Sequence, residues 1–188
     1  MVRTLFAMIW LTACLLRSAV AAPSWLAEGE DVTAPLGYIQ LCVRSPGMCR
    51  RSADDQDVAV VSAAAFTQLE KFNQQVNYSI RYISDSVQYG RADEWVEATI
   101  AGDCEDISLA KRSALIHAGW PAAALWLAIG SVRSGEVHVV LILRSDLGDI
   151  VLDNRTAALK LWHQANLQFL ARQVPGDASH WRRLRSSP

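Results

Sequence analysis

GDCEDISLAKRSALIHAGWP, residues 102–121, carries both the start signal and the stop signal of an α-helix. Asp103 is of the residue type that caps a first turn, and Gly119 followed by Pro121 is typical of a helix end. Cys104 is then predicted to be the first helical residue. The spacing of apolar residues predicts a buried stripe formed by Ile107, Ala110, Ala114, Leu115 and Ala118.

A thiol at the first helical position faces the positive end of the helix dipole and free backbone N–H groups. Both favour the thiolate, which is the nucleophilic form, and one such N–H could stabilise an oxyanion. The carboxylates of Asp103, Glu105 and Asp106 adjoin the sulfur, and their negative charge opposes thiolate formation. Either they turn away into hydrogen bonds and salt bridges, or a cation lies among them, for which Ca²⁺ is suited. An acidic first turn is also common for dipole reasons alone.

A β-hairpin is predicted after the helix. A buried strand is expected over 122–129, followed by a strand over 136–144 with period-two alternation, a turn at 146–149 and a returning strand over 150–154. The alternation places His138 on the same strand face as the other even-numbered residues.

The register of this hairpin brings two polar residues together. In an antiparallel hairpin with an even number of loop residues, the numbers of two directly paired residues add to an odd total. Asp153 is therefore paired with an even-numbered residue, and its side chain lies on the same face as that of His138. An imidazole oriented by a carboxylate can take a proton from a thiol and return it to a leaving group. In the order Cys104, His138, Asp153, the chain therefore carries a candidate nucleophile, base and orienting residue.

Composition limits the class of protein. The 188 residues are 51% hydrophobic and 20% charged, with a formal net charge of −1. This excludes a disordered chain, a collagen-like repeat and a polybasic surface for nucleic acid. The length leaves room for one domain with a full core.

The N-terminus has the pattern of a signal peptide. Arg3 precedes an apolar run over 5–16, and a small-residue stretch over 18–22 follows. The run is too short to span a bilayer, so we expect cleavage after Ala21 and a single domain over 22–188. Removal of residues 1–21 leaves 16 basic side chains against 19 acidic ones, a net charge of −3.

An alternative interpretation of the N-terminus is a lipoprotein signal. Residues 11–14 resemble a lipobox, which would make Cys14 an acylated N-terminus. Apolar residues continue past Cys14, however, and an ordinary cleavage site follows them. The cleaved signal peptide is therefore favoured.

Export predicts an oxidising compartment, in which thiols pair. Cys42 and Cys49 bracket a strong turn signal over 44–47, and we expect them to form a disulfide. Cys104 is then left over, either as a buried structural thiol or as a reactive one. A zinc site using Cys104 and His138 is less favoured, because no four-ligand pattern is present.

The remainder of the chain is less informative. Residues 23–57 show no sustained period and are expected to be irregular. A helix is predicted over 62–76, with Ser62 as its N-cap. Residues 77–95 are rich in Tyr and turn formers and are expected to form a loop or short turns.

The sequence resembles the bacterial transglutaminase-like cysteine proteinases over nearly all of the chain after residue 21. The most specific shared feature is the Gly-Asp-Cys-Glu-Asp core at 102–106 together with His138 and the Leu-Asp-Asn at 152–154. The other shared features are Cys42 and Cys49 with Pro46 between them, residues 76–95 with Tyr89 and Gly90, Lys111 and Arg112, residues 138–141, residues 171–173, and Trp181.

This resemblance implies an α+β, papain-like or transglutaminase-type fold, in which the nucleophile helix packs on an antiparallel sheet. It implies Cys104 as nucleophile, His138 as general base and acid, and Asp153 as the residue that orients the imidazole. It also implies bound calcium with Asp103 and Glu105 as ligands, which Asp106 could join. Calcium there would relieve the carboxylate repulsion of the thiolate.

The resemblance further implies a periplasmic endopeptidase that cuts a large secreted biofilm adhesin near its N-terminus. Its implied partner is an inner-membrane receptor that responds to a cyclic dinucleotide and sequesters the protease. Two alternatives remain open: an acyltransferase or cross-linking transglutaminase that uses the same triad, and a catalytically silent binding module.

Overall fold

The computed structural model describes residues 22–50, 56–174 and 176–185. The predicted signal peptide, residues 1–21, and the alternative acylation site at Cys14 lie outside the described residues. No helix among the described residues is both long enough and apolar enough to cross a membrane.

A mixed α+β domain is built on an antiparallel sheet. The strands are β1 Glu28–Val32, β2 Arg81–Tyr82, β3 Ala101–Gly102, β4 Leu125–Ser131, β5 Val137–Ser145, β6 Gly148–Leu152, β7 Lys160–Leu161, β8 Gln168–Val174 and β9 Asp177–Leu184. Within the described residues, seven of them form one sheet in the order β1-β9-β8-β4-β5-β6-β7, and β2 pairs with β3 in parallel. The helices are α1 Leu36–Arg44, α2 Ala63–Ser79, α3 Asp85–Gln88 and α4 Cys104–His117, with 3₁₀ turns at Pro46–Cys49, Ala122–Ala124 and Trp162–Gln164.

The central strand β5 is buried on both faces. Val139, Leu141 and Leu143 pack in the same core as Leu109 and Leu115 of α4. Val140 and Ile142 pack with Trp126 on the other face. Burial on both sides explains the nearly continuous apolar run in this strand. The predicted packing of the nucleophile helix on an antiparallel sheet is thus confirmed.

The bounds of α4 agree with the sequence prediction, but its buried face does not. The helix begins at Cys104, and Gly119 beyond its end has a φ of +89°, as a helix stop requires. Of the predicted stripe, Ile107 and Leu115 are buried and Ala110 is partly buried. Ala114 and Ala118 are exposed, so the prediction is wrong for them. The first turn is buried all round, because residues 96–98 pack and hydrogen-bond against it.

The prediction of irregular structure over 23–57 is wrong for much of the described part. This region contains β1, α1 and the 3₁₀ turn at Pro46–Cys49. The Cys42–Cys49 disulfide is present and joins the end of α1 to this turn, with a Cα–Cα distance of 5.5 Å. Short elements of this kind are stabilised by tertiary packing more than by their own periodicity.

Ser62 caps α2 as predicted, its hydroxyl accepting a hydrogen bond from Ala65 N at 3.2 Å. The helix continues to Ser79, three residues beyond the predicted end, and short turns follow as expected. The strand predicted over 122–129 begins at Leu125, since Ala122–Ala124 form a 3₁₀ turn.

Candidate active site

Cys104 is the first residue of α4, and its side chain is almost completely buried. Its thiol donates a hydrogen bond to Glu105 Oε2 at 2.9 Å. Burial, followed by the negative charge of Glu105, raises the pKa of the thiol well above its ordinary value, although the Val139 backbone N–H acts in the opposite direction. In the absence of a bound cation, burial and this charge therefore favour the protonated thiol over the thiolate, despite its place at the helix N-terminus.

Ser108 connects the first turn of α4 to the start of β5. Its hydroxyl lies 2.7 Å from Cys104 O and 3.4 Å from Val139 O. Val139 directly follows His138, so the candidate nucleophile and base lie on segments that meet at this hydroxyl. Among the described residues, no hydrogen bond joins Cys104 Sγ to His138, and the thiol donates to Glu105 instead.

His138 and Asp153 form a buried, hydrogen-bonded pair. His138 Nε2 lies 2.9 Å from Asp153 Oδ1. Leu141 pairs with Leu152 in the β5–β6 ladder, an odd total that gives the parity expected from the sequence. With Nε2 donating to the carboxylate, Nδ1 is the ring nitrogen left to accept a proton.

The segment after β6 holds the Asp153 carboxylate in place. Arg155 Nη2 donates to Oδ2 at 2.8 Å, and Arg155 N donates to Oδ1 at 2.8 Å. Burial alone would raise the pKa of Asp153, but the hydrogen bonds from His138 and Arg155 outweigh it and lower that pKa. Asp153 is therefore a stable anion that can orient the imidazole.

One face of α2 anchors the same segment. Asn77 Nδ2 donates to Asp153 O at 2.9 Å, and Asn73 Nδ2 donates to Thr156 O at 2.9 Å. Asn73 Oδ1 in turn accepts a hydrogen bond from the fully buried Lys111 of α4 at 2.7 Å. Burial lowers the pKa of Lys111 to about 7. This network links the α4 helix, through α2, to the backbone that carries Asp153.

A second feature is a buried cluster of three aspartates beside the first turn of α4. Asp85, Asp103 and Asp106 each offer an oxygen within 4.8 Å of the others. One oxygen of each accepts a backbone N–H, from Glu94, Asp85 and Val96 respectively. The remaining oxygens, Asp85 Oδ1, Asp103 Oδ1 and Asp106 Oδ2, are buried without a hydrogen-bond partner.

The electrostatics of this cluster favour a bound cation. Burial, together with the charge of Asp103, raises the pKa of Asp85 to about 6 and that of Asp106 to about 7. Burial and the same charge raise the pKa of Glu105 to about 8. A divalent cation would replace both the missing hydrogen bonds and the lost hydration, and the all-oxygen donor set fits Ca²⁺.

The predicted metal ligands differ in their surroundings. Asp103 belongs both to the aspartate cluster and to a group formed with Cys104 and Glu105. Glu105 is directed to the thiol. Asp103 occupies the N-cap position of α4, but its side chain does not cap the helix as expected, because it accepts from Asp85 N instead.

Two residues of the site were missed by sequence reasoning. Asp85 lies 18 residues before Asp103, in a segment without a metal-ligand spacing, and nothing in the sequence singled it out. Arg155 is two residues after Asp153, and that proximity is the one signal that could have found it.

A cavity of about 400 Å³ opens beside the histidine and is lined by Tyr82, Val132, Glu136, His138, Asn154 and Arg155. Its walls combine an aromatic ring, aliphatic surface and both signs of charge. It is large enough to admit several atoms of a polypeptide next to His138.

The family model of the bacterial transglutaminase-like cysteine proteinases matches residues 28–188. The chain belongs to this family. Its members are described as transglutaminase-like cysteine proteinases, and the α+β architecture of this chain agrees with the fold that the sequence predicted.

Solved structures of LapG from Legionella pneumophila are similar to this chain. The calcium-bound form has 23% identity and a TM-score of 0.49, over 56% of this chain and 63% of that one. The EGTA-treated form has 23% identity and a TM-score of 0.48, over 56% and 61%. The chain thus covers less than two thirds of LapG. A search of curated proteins gave no match.

Proposed function

We propose that the protein is a calcium-dependent periplasmic cysteine endopeptidase with Cys104 as nucleophile, His138 as general base and acid, and Asp153 as orienting residue. The observation that carries the proposal is the buried His138–Asp153 pair, with Nε2 committed to the carboxylate and Nδ1 left to exchange a proton. Cys104, at the start of the adjoining helix, supplies the thiol.

In the proposed reaction, the Cys104 thiol leaves Glu105 and transfers its proton to His138 Nδ1 as Sγ attacks the peptide carbonyl carbon. Asp153 stabilises the resulting imidazolium through Nε2–H. The imidazolium then protonates the leaving amine as the C–N bond breaks. His138 next removes a proton from water, whose oxygen attacks the acyl-enzyme carbonyl; the C–S bond breaks, the acid leaves, and the imidazolium returns its proton to the Cys104 sulfur. The Cys104 backbone N–H is a candidate oxyanion donor.

We propose Asp103 and Glu105 as calcium ligands and add Asp85 and Asp106 to the set. Asp85, Asp103 and Asp106 are supported by the convergence of their unpartnered buried carboxylate oxygens, and Glu105 by the family resemblance and its place beside Asp103. Bound calcium would supply positive charge that neutralises these carboxylates and favours the thiolate. Gly102 supports the geometry, because a Cβ at this position would lie 2.8 Å from Asp106 Oδ2.

We propose export to the periplasm through a signal peptide over 1–21. The support is the sequence pattern, together with the Cys42–Cys49 disulfide, which is typical of an oxidising compartment. Cell fractionation and mass spectrometry of the purified N-terminus test this. A mature chain beginning at Ala22 is expected, and an acylated chain beginning at Cys14 would establish the lipoprotein instead.

The proposed substrate is a large secreted adhesin cut near its N-terminus, and the proposed regulator is an inner-membrane receptor that responds to a cyclic dinucleotide. Both come from the family resemblance. A receptor that sequesters the protease should reduce cleavage when its periplasmic domain is added to the assay.

The test is single-turnover cleavage of N-terminal fragments of large repetitive secreted proteins encoded in the same genome. Cys104→Ala and His138→Ala should abolish cleavage, and a calcium chelator should suppress it. His117→Ala is the matched control, because His117 is exposed at the far end of α4 and should leave cleavage intact. Transfer to an added primary amine in place of hydrolysis would identify a transglutaminase. Full biological activity of Cys104→Ala would identify a binding module.

A further inference from the structure

Arg155 contacts the Asp153 carboxylate more extensively than His138 does. Its guanidinium meets both carboxylate oxygens, with Nη2 at 2.8 Å from Oδ2 and Nε at 3.2 Å from Oδ1 and 3.3 Å from Oδ2. Its backbone N–H donates to Oδ1 at 2.8 Å as well. Asp153 Oδ1 therefore accepts hydrogen bonds from both residues, and its orientation toward the imidazole depends on both.

The Arg155 guanidinium holds the second carboxylate oxygen. Without it, the hydrogen bonds from His138 and from the backbone N–H of residue 155 would both remain on Oδ1, and Oδ2 would lose the bonds that the guanidinium donates to it. Asn77 holds only the backbone carbonyl of Asp153. A planar guanidinium that meets both oxygens fixes the plane of the carboxylate, which a Lys ammonium cannot do.

The outer side of Arg155 lies where a substrate would pass. The residue borders the cavity that contains His138 and also a neighbouring cavity of about 730 Å³, lined by residues 131–135, Asn166 and Gln168. The side chain of Arg155 is 39% exposed to solvent, whereas that of Asp153 is 8% exposed. A polypeptide entering either cavity would cover the ion pair and exclude water from it.

We propose that Arg155 is a positioning residue of the catalytic site, which fixes the plane of the Asp153 carboxylate and thereby the orientation of the His138 ring. This inference rests on the proposed function of the triad. Arg155 acts through Asp153 and makes no contact with the reacting atoms. Other charged groups nearby include Glu136, which lines the same cavity, and the buried Lys111, whose charge also acts on Asp153. Arg133 and Lys160 each line a neighbouring cavity together with Arg155.

The test compares Arg155→Met, Arg155→Lys and the matched control Arg183→Met. Arg183 also pairs with a carboxylate, that of Glu30, but at an exposed position of β9. Three properties are measured for each variant: kcat and KM with a cleaved fragment, the downfield N–H proton signal of the His138 ring by NMR, and the thermal unfolding midpoint. The His138→Gln variant identifies the NMR signal among those of the four histidines.

We expect Arg155→Met to lower kcat about tenfold with little change in KM, because a misaligned base impairs the chemical step. The His138 N–H signal should broaden through faster exchange with water. Arg155→Lys should recover part of kcat and sharpen the signal. Arg183→Met should match the wild type in all three properties.

Unchanged kcat and an unchanged signal in Arg155→Met would overturn the proposal. So would a lowered kcat that accompanies a lower unfolding midpoint while the signal stays sharp, since Arg155 would then only stabilise the fold. If the wild type cleaves none of the fragments, the proposed function fails instead. The NMR comparison would still decide whether Arg155 positions His138.

Discussion

The thiol of Cys104 donates its hydrogen bond to Glu105 Oε2, 2.9 Å away, and not to His138. The predicted nucleophile is thus held by the residue that follows it in the chain. Burial and the Glu105 charge both stabilise the protonated thiol. The proposed mechanism needs the thiolate, which any decrease of the negative charge around the sulfur favours, and a cation bound by the aspartate cluster would produce such a decrease.

Glu105→Gln should make Cys104 more reactive in the absence of calcium. Removing the carboxylate charge lowers the pKa of the thiol, and one pKa unit corresponds to about tenfold more thiolate. The measurement is the rate of alkylation by iodoacetamide near pH 8 in chelator. Glu97→Gln is the control, because Glu97 is exposed and bonded to Ser113. An equal rate in both variants would contradict the role assigned to Glu105.

Calcium should stabilise the protein through Asp106. At a free concentration 100 times its Kd, a ligand that binds only the folded state adds about 2.7 kcal/mol to the free energy of unfolding. Asp106→Asn should lose this response, yet be at least as stable as the wild type in chelator, because one buried charge is removed. Thermal unfolding with and without calcium measures both effects. Asp57→Asn, at an exposed position, should respond to calcium like the wild type.

Gly102→Ala should disrupt the aspartate cluster. The added Cβ would lie 2.6 Å from Asp106 Cβ and 3.0 Å from Ala98 Cβ, so a buried side chain must move. Overpacking of this kind costs about 1–3 kcal/mol of unfolding free energy. Denaturant unfolding and calcium titration should both be affected. Gly47→Ala is the matched control, since a Cβ there meets nothing within 4 Å. Wild-type calcium affinity in Gly102→Ala would argue against Asp106 as a ligand.

Lys111→Met should remove a specific pH dependence of stability. The folded-state pKa of Lys111 is lowered to about 7 from an ordinary 10.5, so the unfolded chain binds the extra proton between these values. The free energy of unfolding should therefore rise with pH across this window, by up to about 1 kcal/mol per pH unit, and should lose this rise in the variant. Urea unfolding at several pH values measures it. Lys71→Met, at an exposed position of α2, should keep the wild-type slope.

Sequence reasoning worked best where neighbours along the chain decide the structure. The start and end of α4 depend on residues within a turn of each end. The pairing parity of Asp153 with His138 depends only on loop length and on the alternation of a strand. The Cys42–Cys49 disulfide spans a sequence separation of 7 and likewise needs only a local turn.

Sequence reasoning failed where segments far apart in the chain pair or pack together. β1 and the β8–β9 hairpin complete the sheet by pairing ends of the chain, with Asp31 opposite Arg182. No hydrophobic period in residues 23–57 predicts β1, because an edge strand is stabilised by pairing with its neighbouring strand and not by its own sequence pattern. The prediction that Ala114 and Ala118 are buried was wrong for a related reason, since the burial of α4 is concentrated at its first turn.

The sequence by itself determined the helix that begins at Cys104 and the hairpin that brings His138 and Asp153 together, because local hydrogen bonding and side-chain periodicity dictate these features. The family was indicated by resemblance of its motifs. Only the tertiary structure showed that Asp85 belongs to the aspartate cluster. It also showed that Arg155 donates hydrogen bonds to the carboxylate of Asp153, and that the Cys104 thiol donates one to Glu105. These contacts depend on side-chain rotamers and on the packing of segments far apart in the chain, which no local pattern encodes.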